Sequence, residues 1–320
     1  LDTVRDVVSG PGGGADPPPG TSWTVHRRRA RTAAGATVEP LDGAGWSLTG
    51  TDGTRLLWLW GPPAAHPPYD PPYDIVLLGA GCEVDTAAHH LAELRRRGAV
   101  TDRTQVVLVD LSHAHPRAPE LTRRAARWGA RVLPDGAEVP GPSGTTHRPR
   151  RTLVLGGARS GKSYEAERRL LADPAVTYVA TAGTRDGDAE WAARVATHRE
   201  RRPSSWRTVE TTDVAAVLRD ARTPVLVDCL SLWLTAVMDR EGAWDGTESE
   251  GVRRAVADLV DAWRHVRVPV VAVSNEVGSG VVPATPSGRR FRDELGRLNA
   301  LVAAESDEVL LTVAGRVLPL

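Results

Sequence analysis

Eight consecutive residues, Gly156-Gly157-Ala158-Arg159-Ser160-Gly161-Lys162-Ser163, satisfy the pattern GxxxxGK[ST] at every fixed position. The chemistry this spacing serves is phosphate binding. Glycines let backbone amides turn inward around phosphate oxygens, at points where side chains would obstruct them. Lys162 can then meet the β- and γ-phosphates of ATP or GTP, and the Ser163 hydroxyl can ligate magnesium. A helix opening at Ser163 would present its positive end to the same anion. A magnesium site needs a second hard donor, and the apolar run Val225-Leu226-Val227 ends on one, Asp228. The competing role for that acid is to cap the following helix.

Two further groups have chemical potential. His198 stands among Arg194, Arg199, Arg201 and Arg202. An imidazole with a pKa near 6.5 is largely neutral at pH 7 and nucleophilic. Neighbouring cations favour that neutral form and gather a triphosphate where they converge. By residue type alone, though, such a histidine more often belongs to a solvated helix face than to a nucleophile. Asn275 and Glu276 end an apolar run and precede Gly278-Ser279-Gly280. The carboxyl end of a strand is where open α/β sheets place ligand-binding groups, although an Asn-capped turn uses the same residues. Arg199, Arg202, Asn275 and Glu276 are therefore candidate contacts to substrate or nucleotide. Arg289, Arg290 and Arg292 either reach phosphate or form a solvated basic face.

The elements that must position these groups follow from the apolar pattern. Short β-branched runs at Leu153 to Leu155, Val176 to Ala180, Val225 to Val227, Val268 to Val273 and Val309 to Val313 alternate with helix-length stretches. From Arg290 to Ala304, Phe291, Leu295, Leu298 and Val302 recur at spacings of three and four, the mark of an amphipathic helix covering a sheet. Alternating strands and helices predict an α/β fold with a mainly parallel sheet and right-handed crossovers over 151–320. The stretch 137–150, rich in Gly and Pro and without period, reads as a linker. Ahead of it, Trp46 to Leu48 and Leu56 to Trp60 flank the turn signal Asp52-Gly53 and predict a hairpin. Strands at Asp74 to Leu78 and Gln105 to Leu111 and helices at 86–97 and Glu120 to Trp128 then make a smaller αβ-like segment.

Composition narrows the function classes. Of 320 residues, 40 are basic and 40 acidic, so no global field draws the chain to nucleic acid or an anionic membrane. Phosphate binding must come from a local site. The two cysteines, Cys82 and Cys229, lie outside any CxxC or Cys/His cluster, which argues against a disulfide framework or zinc. No apolar stretch approaches 20 residues and no secretory pattern opens the chain, so a cytoplasmic protein without membrane insertion is expected. The chain opens on Leu1 rather than Met and reads as a fragment lacking an upstream piece.

Several segments together resemble the bifunctional adenosylcobinamide kinase and adenosylcobinamide-phosphate guanylyltransferase family of cobalamin biosynthesis. They are GGARSGKS at 156–163, YVATA at 178–182, RVATHRERRPSSWRTVE at 194–210, SNEVGSGVVP at 274–283 and RRFRDELGRLN at 289–299. Many enzymes share the glycine loop, but the His-x-x-x-Arg-Pro-x-x-Trp and Asn-Glu-Val-Gly runs are far more specific. The resemblance implies a P-loop NTPase domain over 151–320, with His198 as a nucleophile that attacks the α-phosphate of GTP and carries GMP. It also implies a homotrimer. The family commonly has Glu where this chain has Asp228, so a metal role is expected there more than a contact to nucleotide sugar.

Residues 40–136 resemble the later half of a metallo-β-lactamase-like domain, making 1–136 a partial unit. Gly79 stands about where a ligating aspartate is expected, His113 occupies the place of a late histidine ligand, and the HxHxDH cluster is absent. His113, even with His115, falls short of the three protein ligands usual for catalytic zinc, so no metal and no hydrolase activity are expected. A site using His66, His89, His90 and His113 lacks recognisable spacing.

The expected activity is therefore phosphorylation of adenosylcobinamide with ATP or GTP and magnesium, followed by transfer of GMP through His198 to adenosylcobinamide phosphate. Two alternatives stand beside it. One is a small-molecule kinase without guanylyl transfer. The other is a nucleotide-switch module that binds a partner, against which net neutrality and the lack of a base-stacking aromatic motif count.

Overall fold

Residue contacts divide the chain into two units, Leu1–His147 and Arg148–Leu320. The structure, a computed structural model, describes residues 30–31, 35–41, 44–61, 71–81, 83–111, 118–134, 136–137, 139, 150–181, 202–245 and 249–320. The first unit holds a seven-stranded sheet whose spatial order follows the chain. Its strands are β1 (Ala30–Arg31), β2 (Thr37–Pro40), β3 (Gly45–Thr49), β4 (Arg55–Leu59), β5 (Ile75–Gly79), β6 (Gln105–Val109) and β7 (Ala130–Val132). Strands β1 to β4 pair antiparallel and β4 to β7 parallel.

Parallel neighbours need crossovers. Here α1 (Val84–Arg96) links β5 to β6, and α2 (Ala118–Arg127) links β6 to β7. Helix α1 buries Val84, Ala87, Ala88, Leu91 and Leu94, a set at helical spacing. The expected hairpin is β3–β4. Gly53 takes φ +85°, and the Asp52 carboxylate accepts from the Thr54 amide and hydroxyl, both at 2.9 Å. Strand β6 stops at Val109, short of the predicted Leu111, because Asp110 turns into the left-handed region at φ +56°. The sheet is larger than the segment read from the sequence, since β2 and β7 are short and carry polar residues. The expected linker lies almost wholly outside the described residues.

The second unit contains β8 (Arg151–Gly156), α3 (Lys162–Leu170), β9 (Thr177–Ala180), β10 (Arg207–Glu210), α4 (Val214–Asp220), β11 (Val225–Asp228), α5 (Leu230–Arg240), α6 (Glu250–His265), β12 (Val270–Asn275), α7 (Pro286–Ala304), β13 (Glu308–Val313) and β14 (Arg316–Pro319). The sheet order is β10-β9-β11-β12-β8-β13-β14, parallel throughout except for β14. Leu153, Val154, Val225, Leu226, Val227, Val270, Val271, Ala272 and Val273 are all fully buried, as strands covered on both faces require.

Helix starts carry their own signals. Ser249 caps α6 by accepting from the Val252 amide, and Thr285 caps α7 from the Gly288 amide with Pro286 in the first turn. Of the predicted α7 face, Leu295, Leu298 and Val302 are fully buried, while Phe291 is partly buried and stacks on Trp244. Strand β10 escaped the sequence reading because it is an edge strand without an apolar run, Arg-Thr-Val-Glu.

One buried charge cluster fixes α3, the helix behind the glycine loop. Arg169 is fully buried, with Nε 2.9 Å from Glu165 Oε1 and Nη1 3.4 Å from Glu308 Oε1, and Thr152 Oγ1 donates to Glu308 Oε2. Helix α3 is thereby tied to both β8 and β13. Removing one member of such a cluster strands the opposite charges away from water, at a cost of about 3–5 kcal/mol. Arg169→Ala should therefore lower the urea midpoint sharply, with the denaturant slope little changed. A midpoint within error of wild type would show the cluster to be energetically idle.

Candidate active site

Strand β8 delivers the chain into the loop at Gly156, where no side chain fits. A Cβ there would lie 2.4 Å from Ser160 Oγ and 2.6 Å from the Thr312 carbonyl oxygen. Arg159 and Gly161 both take positive φ, +57° and +97°, which curls the loop back before α3 begins at Lys162. Gly315 N donates to Ser160 O at 3.0 Å, and Glu276 N donates to Gly156 O at 3.1 Å, so the β13–β14 turn and the end of β12 brace the loop. Lys162 Nζ reaches over it to donate to Gly157 O at 3.2 Å.

Beside the loop, Ser163 Oγ donates to Asp228 Oδ1 at 3.3 Å, and the phenol of Tyr178 donates to Asp228 Oδ2 at 2.8 Å. The Tyr178 hydroxyl is held well above its ordinary pKa, first by burial and then by the Asp228 charge, so it remains a donor across the physiological range. One residue on, the Cys229 backbone is pinned by Thr181. Its amide donates to Thr181 Oγ1 at 3.0 Å, and its carbonyl accepts from the same hydroxyl at 2.7 Å. The Cys229 thiol is pushed up by burial and by Asp228. That makes it an unreactive neighbour of the site.

The structure brings the glycine loop, Asp228 and Asn275 together at the carboxyl ends of β8, β11 and β12, with Asn275 in register with Gly156. Asn299 holds this end of β12, donating Nδ2 to the Asn275 carbonyl at 3.0 Å and accepting from Ser274 Oγ at 2.6 Å. The Glu276 carboxylate accepts from Gly278 N at 2.7 Å and so shapes its own turn. Arg289 donates to the carbonyls of Pro283 and Ala284, and Arg292 to that of Gly278, so these two cations secure the loop after β12. Arg202 lies over the Tyr178 ring at 3.8 Å. His198 and Arg199 fall outside the described residues. Tyr178, Thr181 and Asn299 lie within the segments YVATA and RRFRDELGRLN that carry the resemblance, but the sequence assigned them no individual role. A single tyrosine or threonine at a strand end carries no motif, and only the sheet register shows what it faces.

In the first unit, His66, His113 and His115 lie outside the described residues, while His89 is exposed and His90 half-buried on α1. Burial, then His89, lowers the His90 pKa. A Cβ at Gly79 would lie 2.9 Å from Trp60 Cα and 3.1 Å from Leu59 O, so a side chain enters only if the backbone moves. Among the described residues no group of three or more His, Cys, Asp or Glu converges to hold a metal ion. No described helix is long and apolar enough to cross a membrane.

A glycine cradle between strand and helix, with a lysine across it and a serine–aspartate pair at the ends of parallel strands, defines a P-loop nucleotide-binding enzyme of the phosphoryl-transfer type. The profile of the cobinamide kinase / cobinamide phosphate guanyltransferase family matches residues 152–320, and the chain belongs to that family. It is accordingly a kinase and nucleotidyltransferase of cobalamin biosynthesis. Its second unit is similar to the bifunctional adenosylcobalamin biosynthesis protein CobP of Pseudomonas aeruginosa, 44% identical over 176 residues, covering 53% of this chain and 96% of that protein. It is also similar to CobU of Salmonella typhimurium, 38% identical over 179 residues and covering 51% of this chain and 95% of that one. CobU of Escherichia coli, at 38% over 174 residues, covers the same shares.

Proposed function

We propose that the second unit carries out both reactions on one nucleotide cradle, and that His198 is the covalent carrier of the second. In the first reaction a nucleoside triphosphate seats its phosphates on the amides of 156–161. The Lys162 ammonium then lies where charge gathers on the transferring γ-phosphoryl group. Ser163 and Asp228 are hard oxygen donors held side by side, a set that suits magnesium. Bound there, magnesium would neutralise charge on the phosphoryl oxygens. The hydroxyl of the aminopropanol arm of adenosylcobinamide attacks the γ-phosphorus, its proton leaves, and ADP or GDP departs.

In the second reaction a ring nitrogen of His198 attacks the α-phosphorus of GTP, forming a phosphorus–nitrogen bond as pyrophosphate leaves. A phosphate oxygen of adenosylcobinamide phosphate then takes the GMP group and frees the imidazole. Arg199 and Arg202 follow His198 in sequence and are assigned to the triphosphate. Asn275 and Glu276 are assigned to substrate at the end of β12. A homotrimer in the cytoplasm is the state proposed for the assembly. The first unit is proposed to be a metallo-β-lactamase-like remnant without hydrolase activity, a reading supported by the tight packing at Gly79.

The observation that carries the transferase reading is the convergence of Lys162, Ser163 and Asp228 at the glycine loop. ATP labelled at the γ-phosphate, incubated with adenosylcobinamide and magnesium, should give labelled corrinoid and ADP in equal amounts. Label appearing only as inorganic phosphate would sink the kinase step and leave an ATPase.

A further inference from the structure

A stretch without charge begins where β12 ends. Residues 277–288 read VGSGVVPATPSG, in a chain of which 25% is charged. The stretch starts at the nucleotide cradle, since Glu276 N donates to Gly156 O at 3.1 Å and Asn275 is in register with Gly156. Val277 turns inward and packs on the core. Val281 and Val282 face water instead, 93% and 59% exposed, and Val281 is the most exposed large apolar side chain among the described residues. The backbone that carries the pair is fastened on both sides. Arg292 donates to Gly278 O ahead of it, and Arg289 Nη1 donates to Pro283 O at 3.0 Å and to Ala284 O at 2.8 Å behind it. Pro283 also rests on the first turn of α7, where a Cβ at Gly288 would lie 2.8 Å from Pro283 Cβ. Five residues separate Val281 from Glu276, so it stands within about 17 Å of the cradle's edge. Two adjacent valines kept in water by braced backbone forgo the burial that drives folding, and nothing in the fold of this unit uses them.

We propose that Val281 and Val282 are the apolar rest for the corrin ring of adenosylcobinamide and set the preference of the kinase step for a corrinoid acceptor. This inference rests on the kinase reading above. The acceptor carries its hydroxyl at the end of one arm, behind which lies a broad macrocycle rimmed by methyl groups and uncharged amides. With that hydroxyl at the γ-phosphate, the ring stays outside the cradle, over the loops at the carboxyl ends of the strands. An uncharged surface suits it there. Valine methyls gain by covering the methyl rim, whereas a charged side chain pressed against it would lose water without gaining a partner. The lack of charge in 277–288 equally disfavours a phosphate or a nucleic acid as the occupant. Because Arg289 and Arg292 hold the loop before any ligand arrives, little ordering remains to be done on binding.

The test compares the wild-type chain with two double variants, Val281→Ser with Val282→Ser, and Val281→Ile with Val282→Ile. Adenosylcobinamide absorbs visible light, so its binding is read directly by equilibrium dialysis, without turnover. The serine pair should raise the Kd for adenosylcobinamide about tenfold, the usual scale for lost apolar contact at a substrate site. Its KM for adenosylcobinamide should rise in step with kcat little changed, while the Kd for ATP stays at the wild-type value. The isoleucine pair, which keeps an apolar surface, should bind the corrinoid within about twofold of wild type. Solvent-facing positions tolerate either change, and equal unfolding midpoints confirm the fold. Light scattering supplies the remaining arm. Serine variants of unchanged mass support the inference, whereas a fall in mass would assign the two valines to a contact between copies of the chain and overturn it. Corrinoid affinity of the serine pair equal to wild type also overturns it, and leaves the kinase reading standing. A wild-type protein that binds ATP but neither binds nor phosphorylates adenosylcobinamide would sink the kinase reading, and this inference with it.

Discussion

Incubated with GTP labelled at the α-phosphate, the wild-type protein should retain label after denaturation in alkali and lose it in acid, while His198→Ala should retain none. The acid lability follows from the bond. Protonating the far ring nitrogen lets a neutral imidazole depart, whereas in alkali the leaving group would be the imidazolate anion, which departs poorly. The expected loss is at least about a thousandfold in labelling rate, because a covalent carrier has no side-chain substitute once it is removed. Nucleotide-dependent thermal stabilisation should persist in the variant, which separates a lost nucleophile from a lost fold. Label on His198→Ala equal to wild type would move the carrier elsewhere. No label on the wild-type protein would rule out a covalent guanylyl carrier.

Lys162→Ala should cost kcat/KM for phosphoryl transfer about a thousandfold, equivalent to roughly 4 kcal/mol of transition-state stabilisation. The side chain is half-buried, and its ammonium donates to the Gly157 carbonyl within the same loop, a contact local to the loop itself. The change should therefore appear in catalysis with an unfolding midpoint close to wild type. Lys162→Arg should rescue poorly, since a planar guanidinium fork replaces a compact ammonium within a loop curled by Arg159 and Gly161. A drop of less than tenfold for the alanine variant would mean that the lysine does not meet the transferring phosphoryl group.

Much of the frame was legible from spacing alone. The strand-loop-helix around 156–163 declares itself because phosphate binding constrains backbone shape, and glycine, lysine and serine at set intervals are the few residues that meet the constraint. The parallel strands were legible because burial on both faces demands continuous apolar runs, as at Val225–Val227 and Val270–Val273. Edge elements were not. Strand β10 and strand β14 carry charges and gain their identity only from the neighbour they pair with. Asn275 pairs in register with Gly156 at the end of β12, and the Glu276 carboxylate accepts from Gly278 N.

By itself, then, the order of residues determined that a nucleotide cradle exists, where it lies, and which acid and which serine share it, since these depend on contacts local to the chain or on a strand terminus. Only the tertiary structure decided that Tyr178 holds the second oxygen of Asp228, that Arg202 lies on that ring, and that Arg169 locks the cradle's helix between Glu165 and Glu308. Such contacts join residues up to 139 positions apart. They arise from sheet register and side-chain packing, and no local spacing rule encodes which residues the folded sheet sets side by side.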